Sequence, residues 1–73
     1  MIKIHLFKLL GERRISQAEL SRRTGINTNS INAWYNEYIK YLSKEDLDKI
    51  CEVLECDVSD LIEYIPNKEK STP

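Results

Sequence analysis

No proline interrupts residues 1 to 65 of this chain, and its 73 residues include only two glycines. Scarce helix breakers mean compact helices joined by short connections. A chain of this length is one small domain, burying about 60% of the surface that its unfolded form exposes. Hydrophobic and charged fractions of 41% and 32% fit a soluble globular protein better than a disordered one. No apolar run approaches the ~18 residues of a membrane span. Lys3, His5 and Lys8 break up the first ten residues, which lack the features of a signal peptide. The expectation is a cytoplasmic protein with no membrane partner.

Periodicity and caps then divide the chain. A first helix is expected from about His5 to Arg13, with Leu6, Leu9 and Leu10 as its apolar stripe. Ile2 and Ile4 alternate with Lys3 and His5, which suits a short extended segment. Ser16 is an N-cap, and Glu19 three positions on predicts a capping box. That second helix runs to about Thr24, where Gly25 permits a left-handed stop. Asn27 caps a third helix from Thr28 to about Asn36 or Tyr38. Ser43 caps a fourth, with Asp46 at the box position and a core stripe of Leu47, Ile50, Cys51 and Leu54. Asp57 and Asp60 signal a short fifth helix. The β-leaning Ile62, Tyr64 and Ile65 are expected beside Ile2 to Ile4 as a small two-stranded pairing. The fold class is thus all-α with five helices, a domain over 1–65 and a polar tail over 66–73.

The net charge of −1 argues at first against a nucleic-acid partner. Position along the chain changes that. Residues 1–44 hold eight basic and three acidic side chains, a net of +5, while residues 45–73 carry −6. Such asymmetry is a sign of a polyanion-binding face, although two solvated surfaces would also account for it.

The most informative stretch is QAELSRRTGINTNSINAWYN, Gln17 to Asn36, which reads as helix, tight turn, helix. Leu20 faces the core, Ser21 is small enough for close approach, and Ile26 fills the angle between the helices. On a wheel of roughly 100° per residue, Ile31, Trp34 and Tyr38 gather on one side of helix three. Thr28, Asn29, Asn32 and Asn36 gather on another. These are mediocre helix formers, and ordinary surface helices favour Glu, Lys, Arg and Gln, as helix four does. Asn can donate and accept at once, matching the adenine edge in the major groove. Thr can bond a base edge and touch a thymine methyl.

With SQAEL, RRTGI and SKEDLDKICEVLECDVSDL in this order, residues 5 to 65 resemble the Cro and phage-repressor type of helix-turn-helix protein, the XRE family. The resemblance implies a five-helix, lambda-repressor-like domain whose third helix enters the major groove. It puts Thr28, Asn29 and Asn32 at base-reading positions. Gln17, Asn27, Asn36, Tyr38 and Lys40 correspond to phosphate-binding positions, with Tyr41 nearby. Arg22 and Arg23 lie further round helix two. One departure is Glu37, which stands where the family often has glycine ending helix three and puts a negative charge beside the phosphate positions.

The remaining chemistry is sparse. Cys51 and Cys56 are five apart and His5 is the one histidine, so neither a four-ligand zinc site nor a Cys–His nucleophile is expected. There is no glycine-rich phosphate loop. No enzyme, cofactor, metal or small-molecule substrate is expected. The reading is a sequence-specific double-stranded DNA-binding regulator of bacterial or phage type, repressing by occlusion as a homodimer. Its dimer surfaces would be Met1 to Ile4 and Ile62 to Ile65. The rival is a protein-interaction module of antitoxin type on the same fold.

Overall fold

The computed structural model describes residues 1–66, so the expected tail over 66–73 lies almost wholly outside the described residues. Strand β1 (Ile2–Ile4) is followed by helices α1 (Leu6–Arg13), α2 (Gln17–Thr24), α3 (Thr28–Tyr35), α4 (Lys44–Leu54) and α5 (Val58–Leu61), and then by strand β2 (Ile62–Tyr64). Helix α2 packs on α3 and α4, and α1 packs on α3. Isolated helices shorter than about 12–15 residues are marginal in water. At 4 to 11 residues, these five depend on burial of their apolar stripes. Leu6, Leu20, Ile31, Trp34, Ile50 and Leu61 are all fully buried.

The two strands pair antiparallel in the register Ile2 with Tyr64, Lys3 with Glu63 and Ile4 with Ile62. Met1 N donates to Ile65 O at 2.9 Å, Ile65 N to Met1 O at 2.8 Å, and His5 N to Leu61 O at 2.7 Å. The expected terminal pairing is present. It closes the domain by joining residues about sixty apart in sequence. His5 Nε2 and Glu63 Oε1, at 2.7 Å, add a side-chain link across it.

Three expectations need correction. Glu19 forms only half of the capping box: its N–H donates to Ser16 Oγ at 3.0 Å. Its carboxylate turns instead to Arg22 and Arg23, the latter at 2.7 Å, because two cations one turn away outcompete one neutral N–H. These guanidinium hydrogen bonds, Arg22 first, hold the Glu19 carboxyl below the usual carboxylate range. The second correction concerns Tyr38. Helix α3 stops at Tyr35, so Tyr38 leaves the helical wheel and is 59% exposed instead of packing beside Ile31 and Trp34. The third concerns Cys51, expected in the core stripe of α4: it is half-buried, as is Cys56, and both are free thiols, with Cys56 pushed up to about 11 by burial and by its neighbour Cys51.

The helix ends explain how a chain so poor in glycine makes short turns. Helix α1 ends with Arg14 N donating to Gly11 O and Ile15 N to Leu10 O, at 3.3 and 3.0 Å. Helix α3 repeats this with Glu37 to Trp34 and Tyr38 to Ala33, and α4 with Glu55 to Glu52 and Cys56 to Cys51. Each is a Schellman motif, which needs a left-handed residue that is usually glycine. Here Arg14, Glu37 and Glu55 occupy it, at φ 55°, 63° and 52°. Gly25, at φ 80°, is the one glycine so used. A left-handed non-glycine residue costs about 1–2 kcal/mol. Glu55→Gly should therefore raise stability by about 0.5–1 kcal/mol, after allowance for the entropy glycine adds to the unfolded chain. Gly11 lies inside α1, and an added Cβ would meet nothing within 4 Å. Gly11→Ala should add about 0.5–1 kcal/mol. Thermal unfolding followed by circular dichroism checks both, each as a rise of a few degrees in Tm.

Candidate nucleic-acid interface

The turn between α2 and α3 is held by two small hydroxyl side chains. Thr24 is buried, and its Oγ1 donates to Leu20 O at 2.7 Å while accepting from Ile26 N at 3.2 Å. Ser21 Oγ donates to Ile26 O at 2.5 Å, and Gly25 N donates to Ser21 O at 2.8 Å. Both polar groups of Ile26 are thereby satisfied while its side chain enters the core. Ser21 is thus more than a small residue, and Thr24, for which the sequence suggests no role, is the brace of the turn. A Ser-x-x-Thr-Gly run before an apolar residue was the signal available. Thr24→Val keeps the shape but leaves the buried Ile26 N–H without its acceptor, and should cost roughly 1–3 kcal/mol in urea unfolding.

Past this turn, Asn27 caps α3 by accepting from Ser30 N at 2.8 Å through Oδ1, which leaves its Nδ2 group outward. Thr28 and Asn29 are exposed in the first turn, and Asn32 follows one turn on. Ile31 and Trp34 anchor the other side at 0% exposure. Thr28 and Asn29 are thus exposed on the side of α3 where the half-buried Asn32 also lies. Asn32 is further engaged by its neighbours: its Nδ2 donates to Tyr38 Oη at 2.9 Å, and its Oδ1 accepts from Asn36 Nδ2 at 2.8 Å. Asn36 Nδ2 also donates to the Asn32 carbonyl at 3.1 Å.

The remaining expected positions are more dispersed. Gln17 is half-buried at the start of α2 and lines a groove with Arg14 and Tyr35, the last residue of α3. Among the described residues it makes no side-chain hydrogen bond to α3. Lys40 is exposed in the connection to α4, as is Tyr41 at 85%. Arg22 and Arg23 are tied to Glu19, whereas Lys8, Arg14 and Lys40 form no ion pair among the described residues.

Glu37 resolves differently from its sequence expectation. It keeps the left-handed conformation of a glycine, but its Oε1 accepts from Ile4 N at 3.1 Å and its Oε2 lies 3.6 Å from Lys3 Nζ. The charge is drawn back to β1 and partly compensated. The side chain thus fastens the end of α3 to the terminal ribbon. Glu37→Gly would relieve strain but orphan the Ile4 N–H, whereas Glu37→Gln keeps an acceptor and loses only an exposed ion pair worth about 0–1 kcal/mol. The expected order of Tm is wild type close to Glu37→Gln, both above Glu37→Gly, which is the reverse of the gain at Glu55.

A small helical domain with a hydroxyl-braced turn and an exposed polar face on its second turn-flanking helix is a helix-turn-helix DNA-binding protein. The chain belongs to the Cro/C1-type HTH DNA-binding domain family, whose pattern matches residues 5–67. It is 35% identical over 63 residues to the HTH-type transcriptional regulator YozG of Bacillus subtilis (strain 168), itself uncharacterised, covering 86% of this chain and 75% of that one. It superposes with a TM-score of 0.76, at 25% identity, on the crystal structure of a Bacteroides fragilis protein named for an inferred role in DNA binding. That match covers 86% of this chain and all of the other. DNA binding in transcription regulation is the function of this protein's family. Among the described residues, no helix is long and apolar enough to cross a membrane.

Proposed function

We propose that this protein is a cytoplasmic repressor that reads its operator through Thr28, Asn29 and Asn32 of α3 in the major groove. The observation that carries this reading is the row of short amide and hydroxyl side chains, exposed at Thr28 and Asn29 and half-buried at Asn32, across α3 from the buried Ile31 and Trp34. Such groups match base edges and offer little to helix stability. Gln17, the Asn27 amide, Tyr38 and Lys40 contact phosphates and set the register, while Asn36, expected among them, spends its amide N–H groups on Asn32. The protein acts by occupying its site, through binding and not catalysis. Two copies bind a two-fold symmetric operator. Their contact is the terminal ribbon, where Met1, Ile2, Tyr64 and Ile65 are 63%, 53%, 65% and 36% exposed on adjacent chain segments.

Binding to duplex DNA tests this directly. The logarithm of affinity for random duplex should fall linearly with the logarithm of salt, with a slope of roughly −0.9 per phosphate contacted. On a duplex selected from a random pool, Asn32→Ala should lose roughly 1–3 kcal/mol and relax the preference at one base pair. Fluorescence anisotropy gives both values. Salt-independent or absent duplex binding would overturn the reading and favour the protein-interaction alternative. An unchanged Asn32→Ala affinity, with the fold intact, would move the reading face elsewhere.

A further inference from the structure

The hydrogen bonds around Asn32 have a direction, and it originates in the main chain. The Asn32 carbonyl can only accept, so the Asn36 group 3.1 Å from it is the Nδ2 donor. The same Nδ2 lies 2.8 Å from the Asn32 side chain, which must present its oxygen there. That choice turns Asn32 Nδ2 toward Tyr38 Oη at 2.9 Å, so Tyr38 accepts. The Tyr38 proton is then left to point away from Asn32, on a side chain 59% exposed. Reversing the Asn32 amide would set two NH2 groups face to face, and reversing Asn36 would set its oxygen against a carbonyl.

An asparagine amide has two N–H donors and two oxygen lone pairs. One of each is occupied here, so one of each remains. In the major groove, adenine offers N7 as an acceptor and N6 as a donor, the complement of what Asn32 retains. Guanine offers two acceptors there and would leave the free lone pair of Asn32 unmatched. The outward Tyr38 hydroxyl is a donor suited to an anionic phosphate oxygen.

We propose that Asn36 and Tyr38 are specificity-determining positioning residues. They lock the Asn32 amide in a single polarity, leaving it one free N–H and one free lone pair for adenine, and a phosphate bound by Tyr38 reinforces the lock. This rests on α3 being the base-reading helix, and it goes beyond that reading in naming the base and the groups that enforce it. Polarised hydrogen-bond chains also strengthen one another, so the phosphate contact and the base contact are coupled.

The test uses the full chain and four duplexes that differ only at the base pair where Asn32→Ala loses its preference. Wild type should favour adenine there by roughly 5- to 150-fold. Tyr38→Phe removes one oxygen and no packing atoms, and Asn36→Ala removes the polarity-setting donor. Each should cut the adenine preference by at least about fivefold, beyond any affinity change common to all four duplexes. Each should also be strongly non-additive with Asn32→Ala in a double-mutant cycle. A preference for another base overturns the proposal. So does an affinity loss equal across the four duplexes and additive with Asn32→Ala, since that marks Tyr38 as an independent phosphate contact. If Asn36→Ala lowers Tm, Tyr38→Phe alone decides. Wild type failing to bind duplex overturns the proposal and the underlying reading together, whereas a flat response to Tyr38→Phe with Asn32 still required overturns only the proposal.

Discussion

Helix α3 is held by burial of Ile31 and Trp34 against the core, and the rest of the molecule is arranged around that contact. Its eight residues, Ala33 apart, are middling or poor helix formers, and too few to be helical alone. Trp34 is buried so completely that its Nε1 finds no hydrogen-bond partner among the described residues. An orphaned donor costs roughly 1–3 kcal/mol, while truncating a buried tryptophan costs about 3–5, so packing outweighs the unmade bond. Because the inner face supplies the stability, the outer face is free to carry asparagine and threonine. The polar face of α3 is thus supported by apolar burial on its other side.

The connections follow from a shortage of glycine. Three helices end on left-handed Arg14, Glu37 or Glu55, and strain is accepted at each. At Arg14 and Glu55 the main-chain bonds of the helix end are the return for that strain. At Glu37 the side chain contributes as well, because its carboxylate holds the Ile4 N–H and Lys3. The same residue therefore ends α3, leads into the Tyr38 segment and ties both to the strand that closes the domain. A glycine would satisfy only the first of these requirements.

Charge acts here through placement. The basic first part is not uniformly available, since Arg22 and Arg23 serve Glu19, Lys3 faces Glu37, and Arg13 Nε donates to the Leu54 carbonyl at 2.7 Å. What remains beside α3 is a modest positive field around neutral side chains. On the proposed reading, that balance means weak attraction to any duplex, with discrimination carried by hydrogen bonds.

Helix positions, the three Ser or Asn caps and the polar face of α3 could be read from the chain, because caps and periodicity are local properties that act within one or two turns. The terminal pairing was legible from alternation alone, though its register was not. Other features depended on residues that meet only in three dimensions. No local pattern shows that Tyr38 leaves the helix to reach Asn32, or that Glu37 is bonded to a strand 33 residues away. Side-chain polar groups choose among competing partners by proximity and charge, and the backbone path past each helix end sets which partners are near. The sequence therefore specified the polar face of α3, while the folded chain alone decided which way its central amide points.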